Sequence, residues 1–167
     1  MTWPAGGNLA TPEGLWGAAM VVLSDEEAFR ASNSLHPKEL ADAEEDEIES
    51  MRSIHQARIE ALLVNHIEWN AEEVIRLLLA LQHNGFASGL YTRLSIFNHS
   101  CKPNVIKFDT KTNTAGASEC WTIRAVKAGE ELCIHYCAPG DTTVKKTQNY
   151  LLEQHRFKCG CQVTPSH

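Results

Sequence analysis

The hydrophobic positions change their period near the middle of the chain. Before Gly85 they recur at helical spacing. Ile48, Met51, Ile54 or His55, Ile59, Leu62, Leu63 and Ile67 follow the three-to-four-residue rhythm of one helix face, which predicts helix within 38–69. Val74, Ile75, Leu77, Leu78, Leu79 and Leu81 form a denser apolar run. Asn70-Ala71-Glu72-Glu73 opens that run as a capping box, with an amide at the cap and a carboxylate three residues on, and Gly85 is placed to end it. Ser24-Asp25-Glu26-Glu27 has the same form and predicts a short helix through Arg30, broken at His36-Pro37. Residues 1–20 are rich in Gly, Pro, Ala and Trp without a clear period. They read as a loose lead-in, followed by a short buried segment at Val21-Val22-Leu23.

Beyond Gly85 the pattern turns strand-like. Val105-Ile106-Lys107-Phe108 precedes a polar turn from Thr110 to Gly116. Cys120 to Val126 and Leu132 to Tyr136 both alternate, and Lys127-Ala128-Gly129-Glu130 lies between them as a turn, so the pair predicts a β-hairpin. Residues 144–156 return to a helical pattern with Val144, Tyr150, Leu151 and Leu152, and the tail carries Cys159-Gly160-Cys161. The expected fold class is α+β.

Composition bounds the picture. The chain has 167 residues, 43% hydrophobic and 22% charged, which suits one domain with a real core and excludes collagen-like, mucin-like and wholly disordered chains. A net charge of −6 excludes nucleic-acid binding by bulk positive charge, so no direct nucleic-acid partner is expected. The charge is split: residues 1–90 hold 15 acids and 5 bases, residues 91–167 hold 6 acids and 10 bases. Six of the acids crowd between Asp42 and Glu49, a pattern that suits a solvated helix face or the attraction of basic tails. The earliest basic residue is Arg30, so the basic start of a secretory signal is missing, and Gly14 to Leu23 falls short of the ~20 apolar residues that cross a bilayer. The expectation is a soluble intracellular protein with no membrane partner, in nucleus or cytoplasm alike. All six cysteines lie in the second half, and in a reducing compartment they read as thiols or metal ligands rather than disulfides.

Asn98-His99-Ser100-Cys101-Lys102-Pro103-Asn104 concentrates amide, imidazole, hydroxyl and thiol directly after Leu94, Ile96 and Phe97. From the residues alone three readings are open: a polar turn bonding its own backbone, a cysteine nucleophile with a remote histidine, or a metal ligand joined by distant cysteines. The run Leu90 to Asn104 resembles the N-H-S-C-x-P-N signature of SET-domain protein methyltransferases. Two further elements follow in the family's order. Gly129-Glu130-Glu131-Leu132-Cys133-Ile134-His135-Tyr136 resembles G-E-E-L-x-I-x-Y, and Phe157-Lys158-Cys159-Gly160-Cys161 resembles the F-x-C-x-C of the post-SET zinc module. Asn84-Gly85-Phe86 resembles the N-x-F of the SET-and-MYND subfamily.

The resemblance implies an S-adenosylmethionine-dependent protein-lysine N-methyltransferase whose partner is a protein substrate with a target lysine, histone or non-histone. It implies Tyr136 as the catalytic tyrosine shaping the methyl-transfer channel, and Asn98, His99, Tyr136, Phe157 and Asn84 as cofactor contacts. Without the motif, Tyr136 reads as a strand-end tyrosine at the surface, Asn84 as a helix cap and Phe157 as core. The resemblance also implies structural zinc on Cys101, Cys159 and Cys161. Where the family has a fourth cysteine this chain has Thr164, so His167, His155 or water is left as the fourth ligand. Cys120, Cys133 and Cys137 are expected as buried thiols. His135 stands where the family often has a smaller polar residue.

The implied organisation is a lead-in over 1–23, a helical insert over 24–83, a β-clip-like SET core over 84–140 on which that insert packs, and an incomplete post-SET tail over 141–167. The family's opening G-x-G cofactor element has no counterpart, which leaves a second reading: a catalytically inactive SET remnant serving as a zinc-stabilised protein-interaction module.

Overall fold

The computed structural model describes residues 8–86, 89–108, 118–137 and 143–160. They fold as a mixture of helices and small two-stranded sheets, and the chain divides into two compact units, Met1–Ser95 and Ile96–His167.

The first unit is helical: α1 (Pro12–Leu23), α2 (Glu26–Ser32), a single 3-10 turn (Leu40–Asp42), α3 (Glu45–Asn65) and α4 (Ala71–Asn84). The lead-in expectation fails at α1. Thr11 caps this helix by accepting a hydrogen bond from the Gly14 N–H, Pro12 sits in its first turn, and Leu15, Ala18, Ala19 and Val22 are buried. Because apolar residues surround most of α1, it shows no amphipathic rhythm. Ser24 ends α1 rather than capping α2; its hydroxyl donates to the Val21 carbonyl, and Asp25 caps α2 instead. The capping box of α4 forms as the sequence predicts, Asn70 and Glu73 exchanging side-chain and backbone bonds of 2.9 and 3.0 Å.

Helix α4 is the axis of the first core. Every residue from Val74 to Leu81 except Arg76 is wholly buried, and α1, α2, α3 and the Leu35 and Leu90 segments pack round it. Gly85 caps its end in an extended conformation, at a place with no room for a side chain: a Cβ there would collide with Leu9 Cδ1 and the Leu81 carbonyl. The acidic run is not uniformly solvated. Glu47 is buried, with a carboxylate oxygen 3.4 Å from His83 Nε2. A short antiparallel pair, β1 (Gly85–Phe86) with β2 (Gly89–Leu90), closes this unit.

The second unit carries β3 (Asn98–His99), β4 (Val105–Phe108), β5 (Glu119–Thr122), β6 (Cys133–Ile134) and α5 (Val144–His155). The predicted hairpin does not form. Strand β5 pairs antiparallel with β4, matching Ile106 to Trp121, and β6 pairs parallel with β3, matching Asn98 to Cys133 and His99 to Ile134. Alternation predicts strands but leaves their partners open, and here each takes a partner from farther back in the chain. Gly129 occupies the turn between them at φ +80, a conformation that suits glycine. Cys137 is buried as expected, Cys133 is half-buried, and Cys120 is exposed on β5. The Thr110–Gly116 turn lies outside the described residues. No helix among the described residues is long and apolar enough to cross a membrane.

Candidate active site

The parallel pairing of β3 and β6 brings the two central motifs of the second unit together. Ser100 N–H donates to the Ile134 carbonyl at 2.9 Å, extending the pairing past His99. Just beyond β6, Tyr136 is tied twice to the β3 segment: its backbone N–H donates to His99 Nδ1 at 3.1 Å, and its hydroxyl donates to the Phe97 carbonyl at 2.8 Å. Burial raises the Tyr136 pKa, with the Cys133 charge adding to it, so the phenol is protonated at neutral pH.

These bonds fix tautomers. A backbone N–H only donates, so His99 Nδ1 is the acceptor and the ring hydrogen sits on Nε2, which lies 3.3 Å from Cys101 Sγ. Burial pushes His99 down to about 4, with the neighbouring His135 contributing, and the ring is therefore neutral. His135 has the opposite arrangement. Its Nδ1 lies 3.0 Å from the Cys137 carbonyl, which only accepts, so Nδ1 carries the hydrogen and Nε2 the lone pair. One ligand atom each from His99, Cys101 and His135 falls within 4.8 Å of the others.

Asn104 locks the two motifs from the other side. It is 2% exposed; its amide donates to Glu130 Oε1 at 3.1 Å and to the Glu131 carbonyl at 2.8 Å, while its oxygen accepts from Cys133 N–H at 2.8 Å. The Asn98 amide, on the exposed end of β3, donates to Glu131 Oε1 at 2.6 Å. Arg124, the Lys127 N–H and Asn104 bond the Glu130 carboxylate and lower its pKa to about 2.

Helix α5 supplies the third motif. Thr143 caps it by accepting from Lys146 N–H, and Arg156, in the left-handed region at φ 57, turns the chain off its end. Gln148 then holds Cys159 by both backbone groups: Nε2 donates to its carbonyl at 2.9 Å and Oε1 accepts from its N–H at 3.1 Å. Cys159 Sγ thereby stands 3.7 Å from Cys101 Sγ. Two thiolates about 2.3 Å from one tetrahedral zinc lie ~3.8 Å apart, whereas disulfide sulfurs lie ~2.05 Å apart, so this spacing fits a shared metal ion. Phe157 is half-buried with its ring 6.3 Å from Tyr136 and 6.2 Å from His99, and His155 lies 4.7 Å from Tyr136.

Of the residues singled out from the sequence, the second unit therefore gathers Asn98, His99, Cys101, Tyr136, Phe157 and Cys159. Asn84 belongs to the first unit, at the end of α4, where its amide donates to the His36 carbonyl at 2.6 Å and the Ala80 carbonyl at 2.9 Å. Cys161, and with it Thr164 and His167, lies outside the described residues. Sequence reasoning assigned no role to Asn104 or Gln148. Asn104 was visible as the last letter of N-H-S-C-x-P-N, but its partners lie in a different motif; Gln148 had no signal beyond its place on a helix.

A SET domain family model matches residues 19–137, more than half of the chain, and the chain belongs to the SET-domain family. It is 36% identical over 78 residues to histone-lysine N-methyltransferase ASHR2 of Arabidopsis thaliana, covering 45% of this chain and 19% of that protein. A SET and MYND domain-containing protein of Dictyostelium discoideum is 44% identical over 75 residues, covering 44% of this chain and 13% of its own length. A potential protein lysine methyltransferase of Saccharomyces cerevisiae, SET6, is 32% identical over 78 residues, covering 46% of this chain and 20% of that protein. The chain thus matches a fifth or less of the length of these relatives.

Proposed function

We propose that the chain carries the methyl-transfer centre of an S-adenosylmethionine-dependent protein-lysine N-methyltransferase of the SET-and-MYND type. In this reading Tyr136 stands at the reacting end. Asn98, His99, Tyr136, Phe157 and Asn84 hold the cofactor, residues 24–83 are the helical insert, and zinc on Cys101, Cys159 and Cys161 secures the post-SET tail. The substrate is a protein with an accessible lysine, histone or non-histone. The subfamily reading is supported by the 44% identity to a SET and MYND domain-containing protein.

The observation that carries the proposal is the double tie of Tyr136 to the β3 segment, through His99 Nδ1 and the Phe97 carbonyl. A lysine amine attacks only when neutral, against a free pKa near 10.4. An anion at the reacting end would favour the ammonium form. Tyr136 offers a protonated phenol beside a backbone carbonyl, polar groups that align an amine without adding negative charge. Alignment of this kind supplies much of the barrier reduction in a transfer between two bound partners. Bound S-adenosylmethionine supplies an electrophilic methyl group on its sulfonium sulfur. The half-buried ring of Phe157 and the exposed amide of Asn98 have the chemistry to receive a flat base and its polar attachments.

The test is methyl transfer from labelled S-adenosylmethionine to core histones, together with calorimetric titration of the cofactor. Transfer is expected, and Tyr136→Phe should lower kcat about 10²-fold while leaving cofactor affinity within about twofold. Absence of cofactor binding by folded, zinc-loaded protein would overturn the enzyme reading and leave the interaction module in its place.

A further inference from the structure

We propose that His135 is a metal ligand, joining Cys101 and Cys159 at one zinc ion through its Nε2. The inference rests on the reading of Cys101 and Cys159 as zinc thiolates and adds a nitrogen ligand from the residue between β6 and Tyr136.

Two imidazoles approach Cys101, and their hydrogen bonds separate their roles. His99 spends its lone pair on the Tyr136 backbone N–H, so the nitrogen facing the Cys101 sulfur bears a hydrogen. It is a positioning residue: its N–H stabilises the thiolate and sets its direction. His135 gives its Nδ1 hydrogen to the Cys137 carbonyl, the support that ligating histidines commonly use, and this leaves Nε2 as the basic nitrogen. A ring nitrogen of His135 and Cys101 Sγ are within 4.8 Å of each other, and Cys159 Sγ is 3.7 Å from Cys101 Sγ. Ligand atoms round a tetrahedral zinc sit about 3.3–3.8 Å apart; the two sulfurs already stand at that spacing, and His135 is the member that must draw closer on metal binding.

The donor chemistry needs such a ligand. Threonine at position 164 is no substitute for a thiolate, and a structural zinc site is normally closed by four nitrogen or sulfur donors. His135 with Cys101 and Cys159 supplies three, and Cys161 is available in the sequence as another thiolate. Ligation would also anchor the residue next to Tyr136, linking metal occupancy to the placement of the catalytic hydroxyl.

The experiment measures zinc affinity of the whole chain by competition with a chromophoric chelator, and the metal's donor set by X-ray absorption of the zinc-loaded protein. His135→Asn keeps an N–H donor where Nδ1 stood, for the Cys137 carbonyl, and removes Nε2. It should weaken zinc binding about 10²-fold, whereas His155→Asn should leave it unchanged. The absorption spectrum of the unaltered protein should contain imidazole nitrogen at about 2.0 Å beside sulfur at about 2.3 Å. A shell of sulfur alone, unaltered affinity in His135→Asn, or a loss that falls on His155→Asn instead would each overturn His135 as ligand while zinc itself remained. A wild-type chain that binds no zinc would overturn the zinc reading and this inference with it.

Discussion

The two units are stabilised in different ways. Met1–Ser95 is organised by an apolar core: sixteen buried residues cluster round α4, and Phe29 and Trp69, edge to face with each other at 4.4 Å, pack against them. In Ile96–His167 the buried apolar residues among those described are Val105, Ile134, Cys137 and Leu151, and each sheet among the described residues has two strands. Side-chain hydrogen bonds from Asn104, Gln148 and Tyr136 join its segments instead. A small, polar unit with little apolar area to bury gains most from an added cross-link, which the proposed zinc on Cys101 and Cys159 would provide. The helical unit needs none. The motif residues thus gather where apolar packing among the described residues is poorest, and their hydrogen bonds also hold the unit together.

The largest effect that tests this contrast is metal removal. Structural zinc contributes ~10 kcal/mol or more in small zinc peptides, so even part of that exceeds any single side chain here. Chelation, or Cys101→Ser, is expected to expose residues 96–167 to limited proteolysis while cuts before residue 95 stay rare. Equal cutting in both regions, mapped by mass spectrometry, would break the comparison.

A matched pair of substitutions comes next. Leu78 is wholly buried in α4, and Leu78→Ala should cost ~3 kcal/mol in denaturant unfolding through lost transfer energy and the cavity left behind. Asn104→Ala removes no large apolar group but strands the Cys133 N–H and the Glu131 carbonyl, and should cost ~2 kcal/mol. Zinc affinity separates the two: it should fall in Asn104→Ala and hold in Leu78→Ala. A fall in both would show that the units share one source of stability.

Legibility from sequence divides along the same line. Helix α4 could be read whole, because its capping box, apolar run and terminal glycine are all local signals. Helix α3 was legible in its face but not its limits; its apolar rhythm runs on to Ile67, whereas the helix ends at Asn65 and Ile67 is exposed. The start of α1 was announced by Thr11-Pro12-Glu13, a cap, a proline and an acid, and obscured by Gly14 and Gly17 in an apolar surround. In the second unit the motif residues were readable by resemblance, yet the pairing of Asn98 with Cys133 was not, since no local pattern encodes a partner that far away. His135 stood out only as an unusual neighbour of Tyr136. Its tautomer depends on the Cys137 carbonyl, a fact of folding rather than of spelling.

The smallest effect sharpens the description of the helical core. His55 is 1% exposed on α3, stacked on Trp16 at 5.7 Å, with Arg58 Nη1 3.5 Å from its Nδ1. Burial lowers its pKa below the ordinary 6.5, Arg58 adds to the shift, and the Glu13 carboxylate opposes it. The folded ring thus refuses a proton that the unfolded ring accepts. Stability from this site is complete above pH 6.5 and is lost as pH falls toward the folded-state pKa, at a slope no steeper than about 1.4 kcal/mol per pH unit for one proton. His55→Leu, which cannot titrate, should therefore gain on the unaltered protein as pH falls from 7.5 to 5.5, in parallel denaturant curves. The comparison isolates His55, because the two proteins differ nowhere else. A difference that stayed flat across that interval would mean that His55 takes up a proton in the folded protein as readily as in the unfolded one, and that the core round α3 admits a charge.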